Sequence, residues 1–250
     1  MTTLQDHYEA KYAAEAHAGL PRRISRVARP RDRFTAALAA IAPRLPAQAS
    51  LLELGAGDGR IGYSLLAERP DIAHLVLSDF SEPRVRGLRR SFRDDARVEV
   101  AQLDAEHVDY AEGSFDAIMM VALIEHLLDP LRAMIRIRSL LKPRGFVYID
   151  TPNIAKWTRR LKLLRGEFPS TASTSEGLIT YDGRPVDLYD EGHLHYFSYS
   201  SLSRMLIDRC GFSAVEPAPY AVAPLPAGPG HWAAKRLPGL FSDVAVIARA

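Results

Sequence analysis

Between about residues 50 and 150, short apolar runs alternate with helical patterns, and that alternation predicts a parallel α/β sheet. Ser50-Leu-Leu-Glu-Leu54 reads as a first strand that ends in Gly55-Ala-Gly-Asp-Gly59, followed by a helix from Arg60 to Arg69 closed by Pro70. His74 to Asp79 reads as a second strand. Ser81-Glu82-Pro83 then opens a helix, proline being welcome in a first turn whose N–H groups lack partners. Arg97 to Ala101 gives a third strand, and Ser114 to Val121 a fourth whose near-continuous apolar run suits burial on both faces. Asp129-Pro130 starts a helix to Leu141, Lys142-Pro-Arg-Gly145 reads as a turn, and Phe146 to Asp150 as a fifth strand.

The flanks are less regular. Leu4 to Ala18 and Phe34 to Ile41 carry helical patterns ahead of the first strand. Residues 151–199 hold the polar stretch Ser170 to Ser175 and an aromatic and histidine cluster from Tyr189 to Tyr199. Ser200 or Ser201 is placed to cap a helix stopped by Cys210-Gly211, glycine being the usual stop. Phe212 to Glu216 and Ser242 to Ala248 read as two last strands, with the proline-rich Pro217 to Pro238 as an irregular loop between them.

Composition narrows the classes. The chain has 250 residues, Lys+Arg 32 against Asp+Glu 30, 47% hydrophobic positions and one cysteine. A single cysteine excludes an internal disulfide and a multi-cysteine zinc site. A net charge of +2 does not argue for a nucleic-acid partner. The longest apolar run, Ala117 to Ile124, is far short of the roughly 20 residues that a membrane-spanning helix needs. Met1 to Glu15 has no apolar signal core, so the expected location is the cytoplasm.

The strongest chemical signal is Glu53-Leu-Gly-Ala-Gly-Asp-Gly59, a glycine-rich turn between a strand and a helix. Its spacing is G-x-G-x-G, and Arg60 stands where the dinucleotide fingerprint wants its third glycine. Asp79 lies 22 residues past Gly57, at the tip of the second strand, where a carboxylate can accept both ribose hydroxyls of an adenosine. Asp104 follows the third strand and offers an acceptor to an adenine amino group.

On Leu52 to Gly59, Asp79, Leu103-Asp-Ala-Glu106, Gly113-Ser-Phe-Asp116, Glu125-His126 with Asp129-Pro130, and Leu141-Lys-Pro-Arg-Gly145, the chain resembles the class I S-adenosylmethionine-dependent methyltransferases. The small-molecule branch, with the ubiquinone-biosynthesis and methionine-biosynthesis W-type proteins, is the nearest in pattern. The resemblance implies a Rossmann-like sheet of seven strands, mostly parallel with an antiparallel last strand, and helices on both faces. It implies one domain: a helical cap over 1–49, a cofactor-binding core over 50–150, an acceptor-region insertion over 151–199, and the last helix and strands over 200–250. By the same resemblance Gly55, Ala56 and Gly57 line the methionine moiety, Asp79 holds the ribose, Asp104 and Ala105 meet adenine, Phe80 and Val121 border the cofactor, and Glu53 helps orient the amino acid end.

The acceptor side is read from the remaining polar residues. Where amino methylases of nucleobases or glutamine carry Asn/Asp-Pro-Pro-Tyr/Phe, this chain has Val121-Ala-Leu-Ile-Glu-His126, which turns the expectation away from those targets. His126 is a candidate base, the plainer alternative being a structural histidine at a helix start. His193 and His195 are further catalytic candidates. Two apart, they could share a strand face and bind a metal with Asp190 or Glu191, but a substrate-lining role is preferred and no metal is expected. Tyr8 and Tyr12, on one helical face, and Asn153 and Tyr196 are candidates to line the substrate. Six arginines between Arg22 and Arg33 form either a clamp for a phosphorylated acceptor or a solvated basic face.

These readings converge on methyl transfer from S-adenosylmethionine to a small molecule, at oxygen, with no nucleic-acid partner. Two alternatives stay open: a non-catalytic cofactor-binding subunit of another enzyme, and an NAD-dependent oxidoreductase. Glycine spacing and the absence of a Tyr-x-x-x-Lys pair disfavour the second.

Overall fold

Five strands lie parallel: β1 (Ser50–Leu54), β2 (His74–Asp79), β3 (Val98–Gln102), β4 (Phe115–Val121) and β5 (Leu141–Thr151). With β6 (Ala214–Pro217) and β7 (Val244–Arg249) they form one seven-stranded sheet, ordered β3-β2-β1-β4-β5-β7-β6, in which β7 alone runs against its neighbours. The coordinates are a computed structural model that describes residues 19–169, 171, 193–221 and 226–250. Among these, no helix is long and apolar enough to cross a membrane.

Alternation along each strand sorts the core into two layers. Leu51, Leu75, Leu77, Met119 and Tyr148 face α1 (Arg33–Ile41), α2 (Arg60–Glu68) and α3 (Glu82–Phe92). Leu52, Val76, Ile118, Met120 and Val147 face the opposite layer, built on α4 (Pro130–Leu140). Local chemistry fixes where the helices begin. Asp32 Oδ1 accepts the N–H groups of Phe34 and Thr35 at the start of α1, and Asp129 accepts from Arg132 N–H ahead of α4.

Past β5 come α5 (Trp157–Leu164), α6 (Tyr199–Arg204), α7 (Ala227–Arg236) and α8 (Pro238–Phe241). Several boundaries differ from the sequence expectation. Lys142-Pro-Arg-Gly145 is absorbed into β5 as a bulge: Phe115 pairs with Leu141 and Ala117 next with Phe146, and Arg144 takes a φ of 69°. The cap of α6 is Ser198, in a reciprocal capping box with Ser201, rather than Ser200 or Ser201 itself. That helix continues as a π turn over Met205–Arg209 to buried Cys210, whose thiol is pushed up to about 11 by burial. The supposed loop over Pro217 to Pro238 contains α7 and the start of α8. Pro229 sits in the first turn of α7, where a missing N–H costs no hydrogen bond, and Ala234 packs fully buried behind it. Of the helical cap expected over 1–49, residues 19–32 carry no helix, and Leu4 to Ala18 lies outside the described residues.

The join between β1 and α2 positions everything that follows. Gly59 takes a φ of 77° as the N-cap of α2, and a Cβ there would stand 2.8 Å from both Leu88 Cδ2 and Phe92 Cε2. Glu53, only 4% exposed, accepts the Gly62 N–H at 3.0 Å and so ties β1 to the first turn of α2. Burial pushes its carboxyl up to about 8, the Gly62 N–H drawing it part of the way back.

Two outcomes follow. Gly59→Ala forces a left-handed alanine against two buried side chains and lowers stability by about 1–3 kcal/mol in chemical denaturation. For Glu53, the folded chain holds a proton that the unfolded chain releases above its ordinary carboxylate range. Its contribution is therefore complete below about pH 4.5 and is lost as pH rises towards 8. Glu53→Gln should gain stability relative to the parent across that window, and parallel stability–pH curves would refute the assignment.

Candidate functional site

The strand order reverses between β1 and β4, and at such a switch point the carboxyl ends of parallel strands leave a crevice. Here β1 hands over to the loop 55–59, held down by Ala56 N–H donating to the Ser78 carbonyl at 2.8 Å. Asp79, 5% exposed at the tip of β2, accepts Gly57 N–H on Oδ2 and Ser81 N–H on Oδ1, each at 3.0 Å. One carboxylate thus clasps both the glycine loop and the entry to α3. Arg84 Nη1 stands 3.7 Å from Oδ2.

A cleft of about 910 Å³, counting space open to solvent, extends from this clasp. Six residues named from sequence line it: Gly55, Asp79, Phe80, Asp104, Ala105 and His126. Glu53, Ala56, Gly57 and Val121 are not on its wall; they act from behind, bracing the loop and ending β4. Asp104 is fixed by Glu106 N–H at 2.9 Å and by His107 Nδ1 at 2.8 Å. Sequence reading missed Arg84 and Leu127, and gave no role to Leu103, Glu106 and Leu123, which it quoted only within motifs. Only their nearness in sequence to Asp79, Asp104 and His126 could have pointed to them.

At the other end of the cleft, β4 leaves the sheet sharply. Ala122 takes a φ of 51° while its N–H donates to the Asp150 carbonyl at 2.9 Å, and a single 3-10 turn, Ile124–His126, follows. That turn puts His126 on the cleft wall and sends Glu125 inward, 1% exposed. Leu194 N–H and His195 N–H both donate to the Glu125 carbonyl, at 2.8 and 3.2 Å, so residues 193–197 are strapped across the turn. The strap brings His193 against His126, ring centroids 4.8 Å apart at 71°. His193 Nδ1 lies 2.7 Å from Thr171 Oγ1.

Neither Glu125 carboxylate oxygen makes a hydrogen bond of good geometry among the described residues. Burial pushes the carboxyl up to about 7, with its own backbone N–H, the Thr151 hydroxyl and Arg33 drawing it part of the way back. Asp150, fully buried at the end of β5, accepts the Tyr220 hydroxyl at 2.8 Å and faces Arg33 Nε at 3.6 Å. Burial raises it to about 6 against the pull of Arg33.

The paired-histidine expectation is corrected. His195 instead has its Nε2 3.3 Å from the Leu128 carbonyl and its ring beside Phe197. Residues 193–196 form no strand: consecutive N–H groups of Leu194 and His195 turn to one carbonyl, so the two-residue alternation does not hold. Asp190 and Glu191, like Tyr8 and Tyr12, lie outside the described residues. Glu125, His126 and His193 bring one polar atom each within 4.8 Å of one another, whereas ligands bound at about 2.1 Å to one metal sit roughly 3–3.4 Å apart. Asn153 is buried and wholly structural in its contacts, donating to the carbonyls of Gly239 and Ser242 and accepting Ala155 N–H. Tyr196 is exposed. The arginine stretch does not converge on one spot: Arg26 pairs with Glu68 at 2.7 Å, Arg33 turns in to Asp150, and Arg22, Arg23, Arg29 and Arg31 face outward.

Comparison with known proteins agrees with this geometry. Residues 23–216 match a family described as a methyltransferase domain. The chain is 32% identical over 170 residues to the demethylmenaquinone methyltransferase of Clavibacter sepedonicus, a match spanning 66% of each chain. It is 32% identical over 111 residues to the ubiquinone biosynthesis O-methyltransferase of Xanthomonas axonopodis pv. citri (strain 306), spanning 43% of this chain and 45% of that one. The chain therefore covers less than half of the second relative's length. An S-adenosylmethionine-dependent methyltransferase from Mesorhizobium loti superposes with a TM-score of 0.55 at 17% identity, over 85% of this chain and all of that one, and shares the fold. The chain belongs to the methyltransferase domain family, and its fold is that of solved S-adenosylmethionine-dependent methyltransferases.

Proposed function

We propose that the protein moves the methyl group of S-adenosylmethionine to an oxygen of a small-molecule acceptor, with His126 taking the acceptor's proton. The observation that carries this reading is the position of His126: half-buried, directly past β4, on the wall of the same cleft that Asp79 lines. The names of the relatives, carried over to this chain, favour a quinol or phenol as acceptor.

The residues present fit the cofactor. Each Asp79 oxygen accepts one backbone N–H and keeps a second lone pair, which leaves it able to receive ribose hydroxyls without moving. Asp104 and Ala105 are placed for adenine, with Phe80 beside it, and Gly55 leaves the mouth clear. A Cβ at Gly55 would stand 3.2 Å from Leu123 Cδ1 and narrow the passage to the acceptor side. Gly57, Ala56 and Glu53 contribute from behind by fixing the loop that meets the methionine end, and Val121 ends β4 beside it.

When bound, S-adenosylmethionine supplies a methyl group already activated by its sulfonium charge. What the chain must add is alignment, exclusion of water and, for a hydroxyl acceptor, removal of one proton. Leu123 and Leu127 give the apolar wall, and His126 the acceptor for the proton. His193, Tyr196 and the strap 193–197 border the acceptor side. His195 and Asn153 hold that border in place.

Two measurements test the reading. Calorimetry should show S-adenosylhomocysteine binding that falls at least ~10-fold in Asp79→Ala, since charged hydrogen bonds of this kind contribute about 1.5–3 kcal/mol. Equal affinity in the variant would remove Asp79 from the cofactor site. Methyl-labelled cofactor incubated with 4-methylcatechol or 1,4-naphthalenediol should give labelled ether, and His126→Gln should lower turnover roughly 100-fold, in the usual range for a lost general base. Turnover within a few-fold of the parent would leave alignment alone as the source of rate, and absence of labelled product from both acceptors would overturn the acceptor class.

A further inference from the structure

Glu125 is the buried polar group that the cofactor site does not use. Its side chain is 1% exposed, and among the described residues its carboxyl has only its own backbone N–H and the Thr151 hydroxyl beside it, neither in good hydrogen-bond geometry. A carboxyl this buried and this weakly bonded is costly to ionise, and a positive charge arriving beside it would offset that cost. Its surroundings are specific. Its own 3-10 turn supplies His126, the strap supplies His193, α1 supplies Arg33, and β5 supplies Asp150 and Thr151.

We propose that Glu125 is the positioning residue of the proton transfer, its carboxyl standing behind His126 and His193 to hold the imidazole for, and to balance the charge of, the proton taken from the acceptor. The proposal rests on methyl transfer to oxygen with His126 as base. In the step, the acceptor O–H bond breaks as its oxygen bonds to the methyl carbon and the carbon–sulfur bond breaks. Sulfur keeps that electron pair and loses its positive charge, while the proton moves to a ring nitrogen of His126. The positive charge thus passes from the sulfonium to the imidazolium of a half-buried side chain. A carboxylate within 4.8 Å meets it there.

Three features beyond proximity support the role. The Glu125 carbonyl is gripped by Leu194 and His195 N–H groups, so carboxyl, turn and strap move as a unit. His193 is itself held by Thr171 at 2.7 Å, which keeps its ring against His126. The carboxyl, raised to about 7 by burial, ionises more readily once a positive charge stands near it.

The experiment follows the imidazole directly. Proton NMR titration of the S-adenosylhomocysteine complex, with His126 assigned by the loss of its signal in His126→Gln, is compared between the parent, Glu125→Gln and Glu125→Asp. With Glu125→Gln, the midpoint for His126 should fall by about one pH unit, and with Glu125→Asp by less. The acidic limb of kcat against pH, measured with 4-methylcatechol, should move by the same amount, since His126 must be unprotonated to accept the proton. At pH 7 kcat should fall at least tenfold while KM for the cofactor changes less than threefold. An unchanged midpoint overturns the proposal, as does a kcat lowered equally at every pH together with a lower melting temperature. Stoichiometric zinc binding to the parent, lost in Glu125→Gln, also overturns it in favour of a ligand role. A shifted midpoint without any methyl transfer upholds the Glu125–His126 pairing and instead refutes the acceptor reading. Should Glu125→Gln fail to fold, Glu125→Asp alone decides, through the same midpoint.

Discussion

Asp79 takes Gly57 N–H on one oxygen and Ser81 N–H on the other, and the cleft depends on that pair of bonds. Glycine loops at the end of a strand have no side chains with which to hold themselves, and their φ values here, 67° at Gly55, 59° at Gly57 and 77° at Gly59, are ones that an unanchored chain would not keep. The carboxylate converts the tip of β2 into an anchor for the loop after β1. Glu53 does the same from below through Gly62, so the turn is fixed at both ends before any ligand arrives. Preorganisation of this kind lets binding energy go into contacts rather than into ordering a loop.

The sheet was legible because its signals are local and redundant. β1, β2 and β4 are buried on both faces, and runs such as Leu51-Leu52 and Ile118-Met119-Met120 admit little besides a central strand. Glycine and proline marked most helix ends. The misreadings share a cause: a residue whose local preference was overruled by a distant partner. Lys142-Pro-Arg-Gly145 has the composition of a turn and does bend, yet Lys142 Nζ is held at 2.7 Å by Asp116 on β4, which keeps the bulge inside the ladder. Ala227 to Arg236, rich in glycine and proline at its start, becomes helical because Ala233 and Ala234 bury themselves in the domain.

The site divides along the same line. Its cofactor half is made of residues within a few positions of a strand end, so Gly55, Asp79, Phe80, Asp104 and Ala105 could be named from the strand pattern and the resemblance together. The other half is assembled across the chain. Glu125 meets Leu194 and His195, Arg33 meets Asp150, and Tyr220 meets Asp150, separations that no motif encodes. This is why His126 was legible while the acid behind it was seen only as part of a motif, and why the pairing of His193 with His195 gave way to His193 with His126.

The two inward-pointing glutamates carry the contrast furthest. Glu53 and Glu125 both follow the pattern of an acid at or just past the end of a central strand, and burial raises both above the ordinary carboxylate range. Glu53 is answered by a backbone N–H that is always present, which makes it part of the scaffold. Glu125 has only its own N–H and the Thr151 hydroxyl, neither in good geometry, with two imidazoles and an arginine already facing Asp150 nearby. A fold gains no stability from an acid left in that condition. Within reach of His126 on the cleft wall, it stands where the proposed proton transfer would bring a transient positive charge, and that charge is the partner the fold itself does not supply.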